Sequence, residues 1–363
     1  MTRAVANVGD DLIHARARRI VSDVAPAAEV VVAKAHEPLA RSLNDAQMRH
    51  LKAIIVPGGP GARANLDATY PFLPEAVSRG IPVYFLGVGS RYFPGTLEAA
   101  EHALDATSRA RLLTLARNAP IGVRDYHSVR VLQSQGVPVQ LNGCPAWYSL
   151  RHLDQRPPLP KSFARVVFTT PGDLRFLEQS LAVMRHLRSL LPSAQVIVGF
   201  HHGIEVSDVK MAQANARIVE QARQLRFECL DVSCSHEKLA AYDDCDLHLG
   251  YRVHAHIYFS SLRKPTMLLA EDSRGSGVLH ALGGTGFHAW HPFAEHPMLR
   301  RALVLKRGPA GLVAPDARIA TWLEVALARE LELGFPSVAS AAAAIDHAYR
   351  TRMRPFVERI FAP

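Results

Sequence analysis

The sequence predicts an α/β protein of two doubly wound, Rossmann-like domains facing a cleft. Three observations predict it. Short β-branched runs alternate with amphipathic stretches, the pattern of a parallel sheet covered by helices. The chain has 363 residues, more than a single core usually organises. The segment His152–Ser162 is rich in proline, which precludes a helix and suits an extended linker between two such alternations. The expected division is residues 1–151, a linker at 152–162, a second domain at 163–335, and a C-terminal helix at 336–363 that packs back on the first domain.

In the first half, strands are expected at Glu29–Ala33, Lys52–Val56, Pro82–Leu86, Pro120–Val123 and Val137–Leu141. Helices are expected at Asp10–Asp23, Pro71–Arg79, Ser108–Asn118 and Tyr126–Gln135, each bounded near Asp, Ser, Gly or Pro. Only Arg3–Ala6 is available as a strand before the first helix. In the second half, strands are expected at Arg165–Thr169, Gln195–Gly199, Phe227–Asp231, Asp246–Leu249 and Thr266–Leu269. Helices are expected at Leu174–Leu191, Asp208–Gln224, His236–Tyr242, Val253–Leu262, Gly277–Leu282, Asp316–Leu333 and Ser337–Phe361. In open α/β sheets ligands bind outside the carboxyl ends of the strands, and the unusual residues of this chain fall there.

Apolar residues make up 48% and charged residues 21%, which excludes a disordered chain. No apolar run is long enough to cross a bilayer, and the first residues lack the apolar stretch of a secretory signal. A cytoplasmic location is the expectation. The cysteines Cys144, Cys229, Cys234 and Cys245 form no C-x-x-C pair and read as free thiols. The net charge of +9 favours anionic partners. It is scattered rather than gathered in a basic stripe, so nucleic acid is not expected as a partner.

The segment Cys245–Asp272 carries the densest chemistry. A strand ends in Gly250, Arg252 follows in the turn, and His254 opens a helix. A guanidinium beside an imidazole at a helix N-terminus suits a carboxylate or phosphate. His256 lies on a different face of that helix. In Ile121–Trp147, Arg124 ends a strand while Asp125 and Ser128 open a helix. Arg124 reads equally as a cleft residue or as the ion-pair partner of Asp125. Asp10 fits a helix cap and also suits sugar hydroxyls or a base's role. The Gly-rich turns Val56–Arg63 and Leu86–Gly95 match neither a Walker loop nor G-x-G-x-x-G. His201 and His202 lack a third ligand, so no metal site is expected.

In order, the chain carries N-x-G-D-D at Asn7–Asp11, Gly58–Gly59, G-x-G-S at Gly87–Ser90, R-D-x-x-S at Arg124–Ser128 with "NGCP" downstream, and R-x-H at Arg252–His254. This ordered set, spanning about residues 7 to 283, resembles the polysaccharide pyruvyl transferase family. The resemblance implies a fold like the GT-B glycosyltransferases. It implies transfer from phosphoenolpyruvate, with no other cofactor, onto two hydroxyls of a sugar, glycan or lipid-linked saccharide to form a ketal. Matching positions place Arg124, Arg252, Ser273 and Arg274 on the donor, His254 as proton donor, and Asn7, Asp10, Asp11 and Ser90 on the acceptor. Cys144–Pro145 stands where members often have Asp–Pro, and Arg274 where a lysine is often seen.

Two other functions are weighed. A GT-B glycosyltransferase using a nucleotide sugar would need an acidic residue for the ribose, and Glu271 and Asp272 follow a strand. A non-catalytic binder of anionic polymers would need a broad basic face, against which the compact Arg124, Arg252 and His254 set argues. Peripheral membrane contact through Leu299–Gly308 and homo-oligomerisation stay open.

Overall fold

The computed structural model describes residues 7–61, 64–90, 104–292 and 313–362. The expected strand Arg3–Ala6 and the surface segment Leu299–Gly308 lie outside the described residues.

The first half builds a small parallel sheet. Strand β1 (Ile54–Pro57) pairs with β2 (Val83–Leu86), and β3 (Ile121–Val123) pairs with β4 (Val139–Leu141), both in parallel. The bridge between Val88 and Val123 joins the two pairs. Helices α1 (Val8–Val24), α2 (Ala106–Leu115) and α3 (Tyr126–Gln133) accompany it. Asp105 caps α2 and Asp125 caps α3, each accepting a backbone N–H from the third helical residue.

The second half holds a six-stranded parallel sheet in the order β10-β9-β8-β5-β6-β7. Its strands are β5 (Arg165–Thr169), β6 (Gln195–Phe200), β7 (Glu228–Asp231), β8 (Leu247–Gly250), β9 (Thr266–Ala270) and β10 (Thr285–His288). The chain leaves β5 to build one side, then returns to place β8 on its other edge. That reversal is the topological switch point of a doubly wound sheet, where ligands gather. The crossovers use α4 (Leu177–Leu190), α5 (Val209–Gln224), α6 (Val253–Ser261) and α7 (Ser273–Leu282). Strands β8 and β9 are buried at every position, as parallel strands covered on both faces must be.

The antiparallel pair β11 (Trp290–Pro292) and β12 (Val313–Pro315) leads to α8 (Ile319–Glu332), α9 (Pro336–Ala348) and α10 (Arg354–Phe361). Among the described residues, no helix is long and apolar enough to cross a membrane.

Each sheet has its own apolar core, around Val56, Phe72, Phe85 and Val123 in the first half and Phe168, Val198, Leu249 and Met267 in the second. A third core lies between the halves and gathers Leu12, Ile13, Trp147 and Tyr148 of the first half, Tyr258 and Phe259 of the second, and Tyr349 and Phe356 near the C-terminus. Tyr349 packs against Tyr148 with the rings tilted by 51° and centroids 5.4 Å apart, and donates to Asp23 of α1 at 3.3 Å. The halves therefore meet through packed side chains rather than through the linker alone.

Several elements differ from expectation. Glu29–Ala33 is irregular rather than a strand, with Val30, Val31 and Val32 about 40% exposed. Strand propensity depends on a partner to pack against, and these valines have too little burial to reward pairing. His236–Tyr242 and the first turn of the expected Leu174–Leu191 helix are 3-10 turns. The C-terminal helix is interrupted by a π-turn at Tyr349–Met353. Strands β10, β11 and β12 were not anticipated.

Candidate active site

The site lies outside the carboxyl ends of β5 and β8, where the start of α1 reaches the second half. Asn7 caps α1, its Oδ1 accepting from Gly9 N at 3.1 Å. Asp10, expected as a cap, is instead in the first turn, and Asn7 Nδ2 donates to its Oδ2 at 3.1 Å. Asn7 has the short acceptor needed at that position, so the cap does not use the Asp10 carboxylate. Asp11 turns away from the cleft. Its Oδ2 accepts from both the backbone N (2.8 Å) and the Nδ1 (2.7 Å) of His236, tying α1 to the second half. Asp11 thus bridges the two halves.

Arg124 follows β3 and is buried. Its Nε donates to Asp125 Oδ2 at 3.1 Å and its Nη2 to the Ser90 carbonyl at 3.4 Å. Gly89 lies against the guanidinium so closely that a Cβ there would overlap it. Ser90 is buried, its backbone N–H donating to Ser128 Oγ at 3.0 Å, so its hydroxyl does not line the cleft. Asp125 serves both readings of the sequence at once: it caps α3 and pairs with Arg124. It also packs against Gly277 of α7, which brings this arginine to the second half's site.

Gly250 ends β8 at φ +141°, a conformation that L side chains rarely adopt. Arg252 then occupies the N-cap position of α6 and His254 its first turn. Arg252 Nη2 donates to the Pro171 carbonyl at 2.9 Å, Nη1 lies 3.4 Å from His202 Nδ1, and Nε makes no hydrogen bond. Burial pushes His254 down to about 3, and Arg124, Arg274, His202 and Arg252 deepen the shift by disfavouring another positive charge. The imidazole is neutral at pH 7, not the ordinary titrating histidine that sequence suggests.

The facing wall is built by Glu271 to Arg274. Glu271 accepts from the N–H groups of Gly172, at 2.9 and 3.0 Å, and Asp173, at 3.0 Å. Burial raises it to about 7, against the opposing pull of Arg252 and those N–H groups. Asp272 caps α7 and pairs with Arg274 at 2.7 Å. Ser273 is buried. His201 is buried too, stacked on Tyr242 with centroids 6.0 Å apart. Cys144 is buried and its thiol is pushed up to about 11, so it is protonated at pH 7.

The resulting cleft has a volume of about 280 Å³ and is lined by Asn7, Arg252, His254 and Arg274 among the predicted residues, together with Glu271 and His202. Asp10 and Arg124 stand behind this lining, near enough for Asp10 to favour the charge on Arg274 and for Arg124 to disfavour charge on His254. The sequence marks Gly9 within N-x-G-D-D but not its contact, a Cβ position that falls on the His254 ring, and it does not mark the Gly172–Asp173 turn that receives Glu271. The signal available for that turn was Pro171-Gly172-Asp173 directly after a strand.

The fold is shared with solved structures of low sequence identity. A Listeria monocytogenes structure assigned as a UDP-N-acetylglucosamine 2-epimerase superposes with TM-score 0.52 at 10% identity, covering 92% of this chain and 97% of that one. The apo structure of OtsA superposes with TM-score 0.50 at 13% identity, covering 88% and 75%. Both likenesses establish the GT-B arrangement and nothing about chemistry. No curated protein sequence matches the chain. The family model for polysaccharide pyruvyl transferase matches residues 7–273, from the Asn7 cap through the Arg252–His254 turn to the start of α7. The chain therefore belongs to the polysaccharide pyruvyl transferase family.

Proposed function

We propose that the chain transfers the pyruvyl group of phosphoenolpyruvate onto two hydroxyls of a sugar or glycan, forming a pyruvate ketal. The observation that carries this reading is a neutral imidazole, His254, surrounded by Arg124, Arg252 and Arg274 in a cleft of about 280 Å³. Ligand pockets for larger molecules start at about 300 Å³, so the volume suits a small, highly charged donor.

The residues divide the work by charge. Arg252 and Arg274 meet the phosphate and carboxylate, with Arg124 adding field from the first half. Arginine suits this through its fixed fork of donors. Burial keeps His254 neutral and the arginines reinforce it; the donor's negative charges offset the arginines and favour the protonated ring, so His254 gains a proton as the donor binds. It delivers that proton to the methylene carbon, which becomes a methyl group, and the central carbon becomes electrophilic. One sugar hydroxyl attacks that carbon and loses its proton, with Asp10 placed as base or orienting group. The C–O bond to phosphate breaks and phosphate leaves. The second hydroxyl closes the ketal, again losing a proton. Preorganised arginines around the developing charge supply much of the acceleration.

A nucleotide-sugar donor is less well supported, because Glu271 is held by two backbone N–H groups and Asp272 by Arg274. The test is mass spectrometry of a sugar panel incubated with the protein and phosphoenolpyruvate. A product heavier by a pyruvate ketal, with matching phosphate release, supports the reading. Product formed only from nucleotide sugars overturns it.

A further inference from the structure

A chain of buried polar side chains runs from the back of the Arg252–His254 turn through the sheet. Thr169 ends β5 and sits opposite Gly250 of β8, across the switch point. The strands are pressed together there: a Cβ on Gly250 would come within 2.5–2.6 Å of the Thr169 O, N and Oγ1 atoms. Thr169 then holds the turn twice. Its carbonyl accepts from Tyr251 N at 3.2 Å, and its Oγ1 accepts from Arg252 N at 3.1 Å. Oγ1 also lies 2.9 Å from His248 Nε2. His248 Nδ1 is 2.8 Å from Thr266 Oγ1, which is 2.9 Å from His256 Nδ1. Thr169, His248 and His256 are 0% exposed and Thr266 is 8% exposed. None of them lines the cleft.

Counting unpaired groups favours one direction for this chain. Thr169 Oγ1 accepts from Arg252 N–H, so its own hydrogen needs an acceptor, and His248 Nε2 is the one within reach. His248 then carries its proton on Nδ1 and donates it to Thr266 Oγ1. Thr266 donates to His256 Nδ1, which leaves the His256 proton on Nε2. The reverse direction would leave two groups unpaired, the Thr169 hydrogen and the His256 Nε2 lone pair, against the single His256 Nε2–H in this one. Either way His256 Nε2 has no hydrogen-bond partner, so the chain ends there.

A histidine at the centre of the run Leu247–Gly250 is costly. Such strands are ordinarily filled by Val, Ile or Leu, and a buried imidazole is tolerated only when hydrogen-bonded. An apolar set of the same shape would be about as stable. Something other than stability therefore accounts for the polar set.

We propose that Thr169 and His248 are positioning residues that seat the Arg252-x-His254 turn. The one-directional chain aims the Arg252 N–H into the sheet, and this sets where the Arg252 guanidinium and the His254 ring face. The inference rests on the proposed pyruvyl transfer for its consequence but not for its geometry.

The experiment compares the wild type with Thr169→Val, Thr169→Ser and the double variant Thr169→Val/His248→Leu. Two readouts are taken on each: ¹⁵N NMR of histidine-labelled protein, and calorimetric titration with phosphoenolpyruvate. The expected wild-type spectrum shows His248 as the neutral Nδ1–H tautomer. Thr169→Val shifts the His254 ring resonances and weakens phosphoenolpyruvate about tenfold, the scale of one lost hydrogen bond. Thr169→Ser restores both. The double variant regains thermal stability but not affinity, because packing is repaired while the anchor stays absent. An Nε2–H tautomer at His248, or His254 resonances unmoved in Thr169→Val, overturns the inference. Affinity that simply follows stability across the variants also overturns it. If the wild type does not bind phosphoenolpyruvate, the donor assignment fails, and the NMR comparison still decides the positioning role.

Discussion

Gly9 and His254 share one contact: a Cβ built on Gly9 would overlap Nδ1 of the imidazole. Gly9 is the second residue of α1 in the first half, and His254 the second residue of α6 in the second. The two halves thus meet at the proposed acid, with the helix start used as a stop for the ring.

Gly9→Ala gives a result whose sign separates this contact from helix propensity. Alanine normally stabilises a helix over glycine by about 0.5–1 kcal/mol. Here the methyl group must displace His254 or part the halves. The expected outcome is a Tm no higher than the wild type and transfer slowed about a hundredfold, the usual scale for misplacing a reacting group by an ångström. Thermal melts and initial rates check it.

Donor binding should take up protons. His254 sits at about 3 without the donor's charges, which raise it. Calorimetry at pH 7 in buffers of different ionisation enthalpy should show net uptake on binding phosphoenolpyruvate. His254→Asn should reduce that uptake, while Glu271→Gln should leave part of it in place.

Glu271 gives a stability signature of definite sign. Its value rises from 4.5 to about 7 on folding, chiefly through burial. Its favourable contribution is full below about pH 4.5 and is lost as pH rises through about 7. Glu271→Gln cannot lose it. The variant's Tm should therefore gain on the wild type's between those limits and hold a constant offset above. Melts across that range test this, and a difference that shrinks with rising pH would contradict it.

Far from the cleft, Arg263 and Asp346 form an ion pair in which both side chains are 1% exposed, and Arg156 reaches the same carboxylate at 2.9 Å. Removing one partner strands a buried charge. Asp346→Ala should cost about 3–5 kcal/mol in urea unfolding, with phosphoenolpyruvate affinity of the folded fraction unchanged.

Much of this architecture was legible in the sequence. Arg165–Thr169 and Thr266–Leu269 read as strands because buried parallel strands carry dense apolar runs, and the structure forms both there. The strand–Gly–x–Arg–x–His pattern located the turn because each residue type has a local reason to be there. What stayed hidden depends on distant partners. Asp11 pairs with His236, 225 positions away, a contact no local pattern announces. Glu271 showed neither its backbone cradle nor its burial. Thr169 and His248 read as ordinary strand residues, since nothing in their own neighbourhoods announces a hydrogen-bond chain across three strands. Val30–Val32 misled because branched residues report a preference for pairing, not the presence of a partner.

The most direct measurement is a double-mutant cycle for phosphoenolpyruvate binding by calorimetry, using Arg124→Ala, Arg252→Ala and the pair together. The account predicts one site per chain, a loss of about ten- to a hundredfold for Arg252→Ala, as for charge-assisted hydrogen bonds, a smaller but measurable loss for Arg124→Ala, which acts through its field, and non-additive losses in the pair because both act on one dianion. Wild-type affinity in Arg124→Ala, or strictly additive losses, would contradict it.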